Sequence, residues 1–312
     1  MAMLVFDLSH LAYCSLFSAK SDIKDIGWAY LKHMIYSRIF SLCKKFDPEQ
    51  VVIAVDSKEN WRKKVYPEYK AHRKEKRDAQ DDIDWNAFYN TIKEFVSEIK
   101  EHFPFYVLEI KYLEADDIVG ILAKDYQNIK KIIVTADGDF LQLLKYKNIE
   151  IFDPIRFKYL TVDDPVKFLK VKCLMGDAGD NIKPIKPRIG EVTATKLVES
   201  PDKLKEILED KTPSYTKPDG TVVTLGEEYK ENYKNNIILI DLTKTPDVFS
   251  KELKKQFDEY NLPTGKTIFQ YFSKNKYREF LRKMEEIEVV ITKIINFEKE
   301  NKKNKEAFGD LF

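Results

Sequence analysis

Along the first half of the chain, short uninterrupted apolar runs alternate with longer stretches where apolar residues recur every three or four positions. Residues 3–6 read as a short strand, and a helix should begin soon after Ser9. A long helix follows over residues 26–46. VVIAV at residues 51–55 is apolar at every position, as in a strand buried on both faces. Residues 84–103 place Phe88, Ile92, Phe95, Ile99 and Phe103 along one side of a helix. Residues 106–110 and 131–135 read as further strands, 114–126 as a helix and 140–144 as a short one. This alternation predicts an α/β fold, with a mostly parallel central sheet and flanking helices.

The second half changes character. Residues 163–175 are helical, and Pro165 suits the first turn of that helix. Residues 176–190 are rich in Gly, Pro and charge, and 191–199 form a short helix. Pro218, Asp219 and Gly220 read as a turn between two short extended pieces. From Gly226 onward the pattern is mainly helical and rich in lysine. The expected organisation is an α/β domain over residues 1–160, a smaller mainly helical domain over 161–297, and a flexible tail over 298–312.

Composition narrows the chemistry. The chain has 312 residues, 43% hydrophobic and 34% charged, enough for two domains with real cores. Lys and Arg number 53 against 52 acids, a net charge of +1, which excludes a uniformly basic coat for nucleic acid. The three cysteines, Cys14, Cys43 and Cys173, are far apart and form no C-x-x-C. That argues against a disulfide framework and a structural zinc site. No two of the four histidines stand at a metal-ligand spacing. A bound metal would therefore need oxygen ligands, as Mg²⁺ or Mn²⁺ does. No apolar run reaches the length of a membrane span, and the start lacks the pattern of a secretory signal. A cytoplasmic protein without a membrane partner is expected.

The acids are the informative residues. Asp7 ends the first strand, Asp56 follows the second, and Asp137 and Asp139 follow a third in KIIVTADGD. Glu114, Asp116 and Asp117 stand after a fourth, at the start of a helix. The carboxyl ends of parallel strands converge on one crevice. Asp177 and Asp180, in MGDAGDN, could close it from the second half. Any one of these acids is more simply a turn, cap or helix-dipole residue. The set is another matter. Two unit charges ~5 Å apart repel by roughly 3 kcal/mol at an effective dielectric of about 20. Two divalent ions would offset that repulsion, and such a pair is a phosphoryl-transfer device.

Residues 58–77, KENWRKKVYPEYKAHRKEKR, hold nine Lys/Arg against three acids, with Trp61, Tyr66 and Tyr69 interleaved. Cations meet the phosphate backbone and rings stack on bases, so Arg62, Lys63, Lys64, Tyr69, Lys70, Arg73 and Lys74 are candidate nucleic-acid contacts. The plainer alternative is a solvated charged helix. Position favours the first, because the stretch directly follows the Asp56 strand.

In order, FDLSH, AVDS, YPEYKAHR, YLEADD, TADGDFLQL and LMGDAGDN resemble the metal-dependent 5′ nucleases. That family includes flap endonucleases and the 5′-nuclease domain of bacterial DNA polymerase I. The second half, in EEYKENYKNNIILIDLTKTPD and YNLPTGKTIFQYF, resembles the RNase H branch of T-even bacteriophages. The resemblance covers roughly residues 3–290. It implies one metal held by Asp7, Asp56, Asp116 and Asp137, with Glu114 in the same shell. It implies a second held by Asp139, Asp177 and Asp180, with Asp117 as a further acid. It also implies a helical gateway, in which Lys70 contacts the scissile phosphate, Arg73 stabilises charge in the transition state and Tyr69 stacks on a terminal base.

The implied activity is 5′→3′ exonuclease and flap endonuclease, acting on RNA–DNA and DNA duplexes as a monomer. Removal of lagging-strand primers in phage replication, in the bacterial host cytoplasm, would follow. A sliding clamp and a single-strand-binding protein are the implied partners. One departure stands out. Where the family carries a glycine-rich hairpin that holds duplex DNA, this chain has IKPIKPRIGEVTATKLV. Only Gly190 remains in place, with Lys183, Lys186, Arg188 and Lys196 nearby. Duplex binding with more side-chain contact is expected, and a bound monovalent cation is in doubt. The terminal EAFGDLF resembles clamp-docking peptides, with Phe308, Leu311 and Phe312 as anchors.

Rival readings are a DNA-binding protein without nuclease activity, a single-strand ribonuclease of the PIN-like type and a haloacid-dehalogenase-like phosphatase. The first gains nothing from clustered acids near DNA. The second has no use for a basic gateway and a helical second domain. The third would want an Asp where Ser9 stands.

Overall fold

The computed structural model describes residues 2–80, 82–209, 214–216, 221–224 and 228–308. β1 (Ala2–Asp7) runs straight into α1 (Leu8–Ser18), followed by α2 (Lys20–Ile26) and α3 (Ala29–Phe46). Next come β2 (Gln50–Ala54), the short α4 (Arg62–Val65) and α5 (Arg73–Asp78), and α6 (Trp85–His102). β3 (Tyr106–Leu108), α7 (Ala115–Asp125) and β4 (Lys130–Val134) follow, then a 3-10 helix over Gly138–Lys145. β5 (Ile149–Asp153) and β6 (Lys158–Leu160) close the sheet as a hairpin. The second half holds α8 (Pro165–Met175), α9 (Glu191–Val198), α10 (Pro201–Glu209), β7 (Ser214–Thr216), β8 (Val222–Thr224) and α11 (Glu228–Ile240). α12 (Asp247–Asp258), α13 (Ile268–Lys274), α14 (Arg278–Arg282) and α15 (Met284–Phe308) end it.

The sheet order is β3-β2-β1-β4-β5-β6, parallel except for β6. Central β1 pairs on both sides, with Val5 opposite Val52 and Ile133. The carboxyl ends of β1, β2 and β4 therefore lie side by side, and the residues just beyond them meet. β5 and β6 lie outside the elements predicted from apolar pattern, because Glu150 interrupts the run and Pro154 ends it.

Successive strand residues face opposite sides. Leu4, Phe6, Val51 and Ile53 pack with Leu31, Tyr36 and Phe95 on one face, and Met3, Val5 and Val52 with Ile118, Leu122 and Phe140 on the other. After residue 160 a small separate core forms from Val171, Leu174, Ile185, Ile189, Ala194 and Leu197, but the last helices rejoin the core of the first half. Ile268, Tyr271, Phe272, Phe280 and Ile294 belong to the same cluster as Tyr36, Phe95 and Phe103. The Tyr36 hydroxyl bonds that of Tyr271 at 3.2 Å.

The tail also differs from expectation. α15 continues as helix through Phe308, where a flexible arm was expected from residue 298. Leu311 and Phe312 lie outside the described residues, as does the turn at Pro218, Asp219 and Gly220 between antiparallel β7 and β8. Among the described residues no helix is long and apolar enough to cross a membrane.

Candidate active site

Asp7 caps the amino end of α1, its Oδ1 accepting from the His10 amide at 3.0 Å. The same helical turn braces the neighbouring strands. The Ser9 hydroxyl donates to Asp56, and His10 Nε2 accepts the Ala136 amide at 3.0 Å, one residue before Asp137. Asp56 also accepts the Ala115 amide at 2.6 Å, which locks the end of β2 to the start of α7. Glu114 caps α7 and Asp116 lies in its first turn. Asp137 caps the 3-10 helix by accepting from the Asp139 amide. On the far side, a tight loop after α8 carries Asp177 and Asp180; Asp177 accepts the Gly179 amide at 2.7 Å.

These eight carboxylates line one cavity of about 560 Å³, together with Lys70, Arg73, Ser9, His10, Tyr13 and Tyr89. Lys70 reaches Glu114 Oε1 at 2.7 Å and Asp180 at 3.6 Å, and Arg73 pairs with Asp180. Lys172, on α8, pairs with Asp139 and lies 3.0 Å from Asp177. The sequence reading missed Lys172, Ser9, His10, Tyr13 and Tyr89. Lys172 carries a usable signal, a lysine flanked by Val171 and Cys173-Leu174-Met175 five residues before Asp177. The two tyrosines sit within helical patterns and read as core.

Charge in the cavity is unevenly compensated. Burial, with Asp56 beside it, pushes the Asp7 carboxyl up to about 7. Burial also raises Asp56, although hydrogen bonds from Ser9 and Ala115 favour its charge. Burial and Asp7 together push Asp116 well above the carboxylate range. Glu114 is buried as well, yet Lys70 and Arg62 hold its carboxyl down at about 2. Asp177 is lowered too, with Lys172 outweighing burial. Three adjacent carboxyls that resist ionisation fit a site whose charge balance is completed by a cation with oxygen ligands. The acids line the cavity rather than close on one point. Among the described residues no three acid, histidine or cysteine side chains converge enough to hold an ion as they stand.

Three candidate site residues take other roles. Asp117 is fully buried and faces away from the cavity, accepting from Arg62, Trp61, Thr245 and the Glu114 amide. Oδ2 takes three of these bonds and Oδ1 the Thr245 hydroxyl, so both oxygens are engaged inside the protein, outside the cavity lining. Arg62, expected on nucleic acid, is only 1% exposed and lies inside that same network. Tyr69 is 2% exposed, its hydroxyl donating to Glu114 at 2.8 Å with Asp180 3.1 Å away, so its ring has no face for a base. The periodicity of a basic run cannot show which of its members turns inward.

Lys63 and Lys64 are exposed. Lys74 lies on α5 and its side chain is outside the described residues. Lys183, Arg188 and Lys196 are exposed or half-buried, as is Lys186, around the Gly190 cap of α9.

Residues 2–170 match the model of the 5′-3′ exonuclease N-terminal resolvase-like domain. The chain belongs to the 5′-3′ exonuclease family. Residues 166–287 match the T4 RNase H C-terminal model. Ribonuclease H of Enterobacteria phage T4 is 26% identical over 280 residues, 86% of this chain and 90% of that protein. The 5′-3′ exonuclease of Bacillus subtilis is 29% identical over 58% of this chain and 60% of its own length. DNA polymerase I of Caldicellulosiruptor bescii is 34% identical over 52% of this chain, which spans only 20% of that enzyme. Solved structures share the fold, among them the following two. The phage T5 D15 protein co-crystallised with metal ions has a TM-score of 0.61 at 21% identity, covering 84% of this chain and all of that one. A variant of the phage T5 flap endonuclease, in a complex with DNA and metal ions, has a TM-score of 0.63 at 20% identity, over 83% of this chain and 100% of its own.

Proposed function

We propose that this family member is a divalent-metal-dependent 5′→3′ exonuclease and flap endonuclease, hydrolysing phosphodiesters near the 5′ ends of RNA–DNA and DNA duplexes. One observation carries the reading: eight carboxylates from three strand ends, one helix start and one distant loop line a single cavity with Lys70 and Arg73 at its edge. Asp7, Asp56, Asp116 and Asp137, with Glu114, would hold one Mg²⁺ or Mn²⁺. Asp139, Asp177 and Asp180 would hold a second. When bound, the ions supply the positive charge that a phosphodiester under attack by water requires.

The chain's own groups do the rest. Lys70 and Arg73 bind the scissile phosphate from the gateway side. Ser9 and His10 keep Asp56 and the Asp137 loop in register. Tyr13 and Tyr89, whose hydroxyls lie 3.0 Å apart, wall the cavity with rings beside which a base fits. Lys183, Arg188 and Lys196 grip duplex phosphates, and the product keeps a 5′-phosphate.

The setting we propose is primer removal during phage replication in the bacterial cytoplasm, by a monomer working with a sliding clamp and a single-strand-binding protein. The decisive experiment uses a 5′-labelled flap with Mg²⁺ or EDTA. Mg²⁺-dependent cleavage near the junction, abolished in Asp137→Asn, is the expected result. Flap binding without cleavage in wild type would instead mean a structure-specific binding protein. For the clamp, deleting residues 306–312 should abolish clamp stimulation and leave unstimulated cleavage unchanged.

A further inference from the structure

α4 carries three consecutive cations into two different surroundings. Lys63 and Lys64 are exposed, while Arg62 lies fully inside the protein. The Arg62 guanidinium reaches three acceptors from two parts of the chain, the start of α7 and the end of α11. Nη1 lies 2.8 Å from Asp117 Oδ2 and 3.4 Å from Glu114 Oε2, and Nε donates to the Leu239 carbonyl at 2.9 Å. Its guanidinium carbon lies over the Trp61 ring, 4.8 Å from the ring centre. Asp117 is satisfied in turn by the Trp61 indole at 3.2 Å, the Thr245 hydroxyl at 2.8 Å and the Glu114 amide at 3.0 Å.

Stability alone is a poor reason for this pair, because a buried ion pair is often no better than well-packed apolar groups. Its location suggests another. Glu114 and Asp117 cap each other at the start of α7, so whatever fixes them also fixes Asp116 between them. We propose that Arg62 is a positioning residue for the acid site. It holds the first turn of α7, and so Glu114 and Asp116, against an anchor in the second half made by Leu239 and Thr245. The proposal rests on the nuclease reading above. It places Arg62 behind the carboxylates and away from substrate, so metal retention and turnover depend on it while flap affinity does not.

The test uses Arg62→Lys and Thr245→Val in the full chain. Lysine keeps the charge but lacks the planar fork that reaches three acceptors at once. Thr245→Val removes one hydrogen bond to Asp117 and leaves every charge in place. Mn²⁺ affinity is measured without substrate by electron paramagnetic resonance, together with Tm and with kcat and KM on a flap. In Arg62→Lys, Mn²⁺ affinity and kcat should each fall about tenfold or more, the size of effect known for groups that orient metal ligands. KM should hardly move, and Thr245→Val should shift Mn²⁺ affinity in the same direction by less. A raised KM with unchanged Mn²⁺ affinity would return Arg62 to the nucleic-acid surface and overturn the proposal. So would a lowered Tm with metal affinity and kcat intact below it. A wild type that binds Mn²⁺ but never cuts defeats the nuclease reading, and Arg62 is then judged on Mn²⁺ affinity alone.

Discussion

In the metal-free protein Asp7 keeps its proton up to about pH 7, whereas an ordinary aspartate loses it near 3.8. Between those values the folded state binds a proton that the unfolded chain has released. Stability therefore falls as pH rises through this window. Asp56 and Asp116 are also raised and act with the same sign. Glu114 acts oppositely: its contribution is present above the ordinary glutamate range and is lost as pH falls toward about 2. From pH 5 to 8 the first group controls the slope. In EDTA, Tm should drop across that range by roughly 5–10 °C, and millimolar Mg²⁺ at pH 8 should recover most of the loss. Asp7→Asn should flatten the slope. A wild-type Tm in EDTA that holds level or rises from pH 5 to 8 would show that the acids do not strain the fold.

Elements made of long, regular apolar patterns were legible from sequence, and those made by partners were not. Helix 84–103 was expected within a residue of where α6 lies, because its aromatic spacing needs no context and Asp84 caps it. β5 was missed because it is made a strand by its partners β4 and β6, with Glu150 in its run. Six acids at strand ends and helix starts were readable because parallel topology dictates where such ends converge. The inward turn of Arg62, Tyr69 and Asp117 was not, since Leu239, Asp180 and Thr245 supply the reason from more than 100 residues away. α15 makes the same point, for its lysine-rich end reads as a tail while Ile287, Ile291 and Ile294 pin its first half into the main core. Ile294→Ala, at a fully buried position, should cost about 2–5 kcal/mol in urea unfolding. Removing residues 304–312 should leave the unfolding midpoint nearly unchanged. Equal losses from both would mean that the end of α15 is as well anchored as its middle.

At the scale of the whole molecule, a net charge of +1 conceals a separation of charge. Acids crowd the cavity, while Lys63 and Lys64 on α4, Lys196 on α9, and Lys183 and Arg188 before α9 are exposed and lie outside its lining. A polyanion is thus drawn to these cations and meets the acids only where divalent ions offset them. Binding should then be governed by release of counterions from the nucleic acid. For a flap on duplex DNA, the logarithm of affinity should fall linearly with the logarithm of salt. Lys183→Ala and Lys196→Ala should each lower the slope by about 1 if each residue neutralises one phosphate. Both should raise KM far more than they lower kcat, because neither reaches the cavity. Asp137→Asn should leave the slope near its wild-type value while abolishing cleavage, since it removes an acid from the cavity and none of these cations. Slopes unchanged in both lysine variants would place the duplex on another face, and α9 would then serve the fold rather than the substrate.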